Sequence, residues 1–257
     1  MNTLKEIGLL TFRCIQASLR NPIFLFMGVM TPVIYLAFFT PLLGTLAAQG
    51  SLGGNLGTES VLTLFIPGML PIIAFSTGLF TGYGVIDEVR SGLIERFRVT
   101  PAGRFSILSG PVLFDVCSVY FQSLLFVLIA IPFGFRGDVA GLLILFVLLA
   151  LLTTITSSFG NAMGVILKSE DRFAPLIHGI YLPILLLSGT LLPMSLAPKW
   201  LNIIAHFNPV YYVVEASRAL AVGNLSSINV LYAFLILIPF AISTLSWATH
   251  VYKKMVT

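Results

Sequence analysis

Charge is scarce in this sequence: Asp, Glu, Lys and Arg make up 9% of its 257 residues, against 57% hydrophobic. A soluble domain carries about 25% charged residues. A soluble fold this poor in charge would expose a wide apolar surface and aggregate, so lipid is the solvent the composition fits. Cysteine is just as scarce. Cys14 and Cys117 are too few for a disulfide framework and read as small hydrophobes. The sequence has no phosphate loop of the form G-x-x-x-x-G-K-[ST], no G-x-S-x-G, no H-E-x-x-H and no Cys/His cluster. His178 and His206 have no metal-ligand spacing. These absences leave no catalytic, metal or nucleotide-hydrolysing motif. No inverted repeat of the secondary-transporter kind is visible. An intramembrane enzyme would need paired polar groups at matched depth, and a proton-coupled carrier a chain of buried carboxylates. Asp115 and scattered Ser and Asn supply neither. The formal charge of +4 lies at the ends of apolar runs, where it orients the chain in a bilayer rather than binding nucleic acid.

What is present is a series of apolar runs near the length of about 20 residues that a membrane helix needs. Six are read as spans, at 22–43, 61–86, 106–133, 139–167, 173–194 and 228–252. The expected fold is an all-α integral membrane protein of six transmembrane helices, residues 1–257 forming a single transmembrane domain. With the N-terminus inside, 11 of the 14 Lys and Arg residues fall on the inner side, and Arg136, Lys199 and Arg218 outside. A seventh span in 196–220 would move Lys253 and Lys254 outside, against that rule. Residues 195–227 are therefore expected to lie on or dip into the outer face as a re-entrant helical hairpin, with both termini cytoplasmic. The first span, with 21 residues before it, reads as an uncleaved anchor. The match of Asn224-Leu225-Ser226 to a glycosylation acceptor is too short to carry weight.

Residues 1–21 read as an amphipathic interfacial helix. Leu4, Ile7, Cys14, Ile15 and Leu19 form its apolar face, and Lys5, Glu6, Arg13, Gln16 and Arg20 its polar one. The segment 87–104 is the most informative. Val89, Leu93 and Phe97 recur every four residues and make one helical stripe. Asp87 with Arg90, and Glu95 with Arg98, are i,i+3 pairs. Thr100 precedes Pro101 and should end the helix. Glu88, Val89, Arg90, Gly92, Leu93, Glu95, Arg96, Phe97 and Arg98 are thus candidates for docking a soluble partner, with Gly92 permitting a bend or close approach. The charged turn 168–172 is either solvated or a second docking contact. In the external segment, Pro193, Trp200, Asn208, Pro209, Glu215 and Arg218 are candidate gate residues. Pro67 and Pro71 suggest a bend in the second span. Asp115 is costly in lipid and a functional suspect, with Arg104 its candidate partner. Asn161 is expected to hydrogen-bond between helices. These four, Pro67, Pro71, Asp115 and Asn161, are the pathway candidates.

Two runs carry a family resemblance. SGLIERFRVTPAGRFSILSG (91–110) resembles the cytoplasmic segment of the type-2 ABC exporter permeases. SGTLLPMSLAPKWLNIIAHFNPVYYVVEASRAL (188–220) resembles that family's second hallmark, in the right order and separation. The chain is closest in pattern to the daunorubicin-resistance-like drug exporter branch. One departure stands out: Ser109-Gly110-Pro111 occupies the place where the family more often has Gly-Lys. The resemblance implies a multi-pass permease of the cell (inner or plasma) membrane that pairs with a second permease, identical or related. Two copies of a separate ATPase dock below and hold the ATP and Mg, with no cofactor in this chain. The helix around Glu88–Arg98 is then the coupling element, with the N-terminal helix beside it, and the outer hairpin closes the exit. The implied function is export of a hydrophobic or amphiphilic substrate, drug-like or lipid. The alternative is a lipid-linked glycan moved by the same architecture.

Overall fold

In the computed structural model the described residues are 3–20, 58–92, 103–135, 137–190 and 197–256, with the single positions 30, 34, 37, 38, 41 and 194. Among them the secondary structure is helical, without strands. The elements are α1 (Thr3–Leu19), α2 (Thr58–Phe80), α3 (Gly82–Arg90), α4 (Arg104–Ala130), a 3-10 turn at Ile131–Phe133, α5 (Val139–Leu167), α6 (Glu170–Leu187), α7 (Lys199–Ala205), α8 (Pro209–Ala221) and α9 (Ile228–Val256). Four stretches among the described residues are long and apolar enough to cross a membrane: Phe65–Arg90, Phe105–Ala130, Val139–Leu167 and Ile228–Lys254. They correspond to the second, third, fourth and sixth expected spans. The first, 22–43, lies outside the described residues save for a few positions. The fifth, expected over 173–194, is the shorter α6. Its helix stops at Leu187 because Ser188 caps it and Gly189 turns the chain with a left-handed φ of 74°.

The helix α5 is the hub, with α2, α3, α4, α8 and α9 packed around it. Lipid tails are as apolar as Leu, so helices in a membrane associate through close packing rather than through the hydrophobic effect. Small residues on α5 provide that closeness. A Cβ on Gly160 would sit 2.6 Å from the Leu79 carbonyl oxygen, and one on Gly164 2.6 Å from that of Gly82. Reciprocally, a Cβ on Gly82 would meet the Gly160 carbonyl oxygen at 2.4 Å. Gly78 and Gly82 on one side and Gly160 and Gly164 on the other are each four residues apart, so two glycine pairs let the backbones cross in contact. The helical stretch continues through Pro67 and Pro71. A break in this stretch falls at Thr81, between α2 and α3. Large side chains such as Phe121, Leu124 and Leu128 on α4, and Leu231, Leu235 and Ile242 on α9, face outward, as lipid-facing surfaces must.

At one end of the bundle α1 lies across the start of α4. The Thr11 hydroxyl donates to the Gly110 carbonyl at 3.2 Å, and a Cβ on Gly110 would strike Leu10 at 2.6 Å. The departure at Ser109-Gly110-Pro111 is therefore the crossing point of α1. α1 is helical as expected, but it turns a different face to the bundle. Leu4, Leu9, Phe12 and Leu19 are exposed, whereas Ile7, Cys14 and Ile15 are half-buried and Glu6 and Thr11 are buried. The apolar set read from the sequence thus splits between two faces, because Glu6 and Thr11 have polar partners on α4 to turn toward.

Candidate functional site

Three groups of candidate residues are separated along the bundle. The first is at the α1 end. Arg13 of α1 pairs with Glu88 of α3, and Arg90 of α3 with Glu170 at the start of α6. The Gly103 N–H donates to a Glu6 carboxylate oxygen at 3.0 Å, and that bond holds the Glu6 carboxyl below its usual value. The segment 93–102 therefore departs from and returns to anchored ends: α3 fixed to α1 and α6, and the foot of α4 fixed to α1. Burial pushes the Cys14 thiol up, which disfavours its thiolate.

Several expectations change here. The helix read through 87–98 closes at Arg90. The Ser91 and Gly92 N–H groups donate to the Asp87 and Val89 carbonyls, and Gly92 takes a left-handed φ of 70°, which glycine tolerates without strain. Arg90 is drawn to Glu170 rather than to Asp87, since Glu170 opens the neighbouring helix. Val89, part of the expected docking stripe, is half-buried and packs against the buried cluster that includes Val85, Ile107, Leu108 and Tyr252. Leu93, Glu95, Arg96, Phe97 and Arg98 lie outside the described residues.

The second group surrounds Asp115 on α4, which is only 4% exposed. The Ser157 hydroxyl of α5 donates to its carboxylate at 2.5 Å, and the Thr81 hydroxyl at the α2–α3 break is a second donor. Asn161 donates to the Ser157 hydroxyl at 3.0 Å and to the Ser157 carbonyl at 2.8 Å. Its expected bond between helices is thus a bond within α5, passed on to α4 through Ser157. The helical rise of about 1.5 Å per residue places positions 104 and 115 some 16 Å apart along α4. Two hydroxyls satisfy the buried carboxylate, as buried polar groups require.

The third group, at the opposite end, is the pair α7–α8. Two short helices joined by a turn are found where the sequence expects them. Asn208 accepts from the Val210 N–H at 3.0 Å and so caps α8, with Pro209 at its first turn. Arg218 is 11% exposed; it donates to Glu215 at 3.1 Å and to the Gly189 carbonyl at 2.6 Å. A Cβ on Gly141 would lie 1.9 Å from the Leu220 carbonyl oxygen, and the Asp138 N–H donates to Ala221, so α8 sits tightly on the start of α5. Trp200 and Phe207, on the other side of the pair, are exposed, Phe207 at 86%. Pro193 lies outside the described residues. Pro67 and Pro71 are buried within α2, away from Asp115 and nearer Arg218, whose side chain abuts Gly68. No three His, Cys, Asp or Glu residues gather as a metal site among the described residues.

Sequence reasoning missed the glycine crossing, although the four-residue spacing was readable. It also missed Glu6 and Arg13 as anchors, which only the position of α1 reveals.

Comparison with known proteins fits this architecture. The family model described as ABC-2 type transporter matches residues 5–222. A transport permease of Cyanophora paradoxa, ycf38, is 28% identical over 223 residues, covering 84% of this chain and 74% of that protein. The daunorubicin resistance ABC transporter permease protein DrrB1 of Streptomyces coeruleorubidus is 26% identical over 216 residues, covering 83% and 74%. An ABC transporter G family member of Dictyostelium discoideum is 27% identical over 154 residues, 59% of this chain and 21% of the longer protein. A membrane chain with these helices, matched to one family model over most of its length, belongs to the ABC-2 type transporter family.

Proposed function

We propose that this chain is the membrane-spanning subunit of an exporter, moving a hydrophobic or amphiphilic substrate out of the cytoplasm or the inner leaflet. Separate ATPase subunits, two per assembly, supply the energy and hold the ATP and Mg. The permease has six spans with both termini cytoplasmic and works as a pair of identical or related chains. Segment 87–104 is the docking element. ATP-driven closure of the ATPases pulls on it, and the ion pairs Arg13–Glu88 and Arg90–Glu170 pass the pull to α1, α3 and α6 together. The hairpin α7–α8 dips into the outer face and closes the exit.

The observation that carries this reading is the anchoring of α3 to α1 and α6, and of Gly103 to α1, at the end of the bundle that holds α1. The similarity to a daunorubicin resistance permease favours a drug-like amphiphile over a lipid-linked glycan. The test is to reconstitute the chain in vesicles with an ATPase of the same transporter class and follow an amphiphilic fluorescent cargo. ATP-dependent movement that needs both proteins is the expected result. Movement driven by a proton gradient without the ATPase would overturn the reading.

A further inference from the structure

The chain itself contributes Ser188 and the left-handed Gly189 to the end of α6. The helix carries no basic side chain in its last turn to meet the negative end of the macrodipole. Its last carbonyls also need donors. Ser188 meets one of them, its N–H and hydroxyl both donating to Leu185. The Ile184 carbonyl accepts instead from the Asn208 side-chain amide at 2.8 Å. Just past the helix, the Gly189 carbonyl accepts from Arg218 at 2.6 Å, with Thr190 at 3.5 Å from the same nitrogen. Both donors belong to the α7–α8 hairpin, more than 20 residues later in the chain. A third element makes room for them: a Cβ on Gly68 of α2 would lie 3.3 Å from Nε of Arg218. Glu215 fixes the other side of the guanidinium.

From these contacts we propose that the α7–α8 hairpin completes the C-terminal cap of α6, Asn208 and Arg218 supplying further donors and the positive charge that α6 itself lacks. Arg218 and Asn208 are then positioning residues that act through α6. The hairpin cannot lift outward without uncapping α6, so opening of this end and loosening of the last turn of α6 are one event. This deepens the gate reading given above, but its test needs neither substrate nor ATPase, so the two can fail separately.

The test is hydrogen exchange by mass spectrometry on the full chain in lipid nanodiscs. Hydrogen bonds to charged groups are individually strong, so Arg218→Gln should speed exchange over 184–190 by about tenfold. Asn208→Ala should act in the same place. Arg218→Lys, which keeps the charge without the fork, should fall between Arg218→Gln and the parent. Gly68→Val should reproduce the effect with Arg218 intact, by displacing its guanidinium. The core of α5, 149–160, should be unchanged throughout. Unaltered exchange at 184–190 in these variants would overturn the proposal. So would a rise spread evenly over α5 and α9, because the residues would then hold the whole fold rather than one helix end.

Discussion

Single residues show how the polar groups of this chain are accommodated. Glu6 is 6% exposed and its carboxylate accepts the first N–H of the α4 foot. Because that bond lowers its folded value below the ordinary 4.5, the unfolded chain binds the proton more readily. The stability it contributes is present in full above about pH 4.5 and is lost as pH falls through the depressed folded value. Thermal unfolding of wild type and Glu6→Gln in detergent should therefore differ at pH 7, with wild type the more stable. The gap should close below the folded value; a gap that persists unchanged in acid would mean the carboxylate is not the group responsible. Asp115 follows another rule. Its mid-helix position marked it as a suspect in the sequence, but its donors, Ser157 and Thr81, come from helices that only the fold brings beside it.

At the scale of elements, the glycine crossing of α2–α3 with α5 decides how the hub is built. Gly160→Leu must push its side chain into the Leu79 carbonyl, where a Cβ alone would lie at 2.6 Å. Overpacking of a close-packed interior costs about 1–3 kcal/mol, and more where backbone must move. Gly8 and Gly84 meet nothing within 4 Å, so alanine there should be neutral or stabilising by up to about 1 kcal/mol. Scanning calorimetry or fluorescence-detected size exclusion of the variants separates the two classes. A well-folded Gly160→Leu would contradict the crossing. The element positions themselves were largely legible. The run 139–167 coincides with α5 because apolar length and the polar turns on either side mark both ends. The segment 87–98 was misread as one helix because its four-residue stripe continues past Gly92. The left-handed turn at Gly92 ends α3 there, which periodicity does not reveal. The rotation of α1 was hidden for a similar reason: the buried Glu6 and Thr11 find their partners on α4, almost 100 residues away.

The whole molecule places the ion pairs that join α1, α3 and α6 at one end of the hub and the short pair α7–α8 at the other, with the Asp115 cluster between them. The two hallmark runs recognised in the sequence are these two ends, which is why family membership was legible before the fold. The central claim is that segment 87–104 transmits work from a separate ATPase into this bundle. It is tested most directly by co-purifying the chain with its ATPase and measuring substrate-stimulated ATP turnover, then repeating both with Phe97→Ala and Glu95→Arg. Interface energy concentrates in a few residues, often aromatic, so Phe97→Ala should weaken association by about 2 kcal/mol, roughly thirtyfold. Glu95→Arg should break the charge match, leaving turnover that no longer responds to substrate while the permease stays inserted and folded. Unchanged association and unchanged substrate-stimulated turnover in both variants would contradict the account and move the coupling surface elsewhere, first to the turn 168–172.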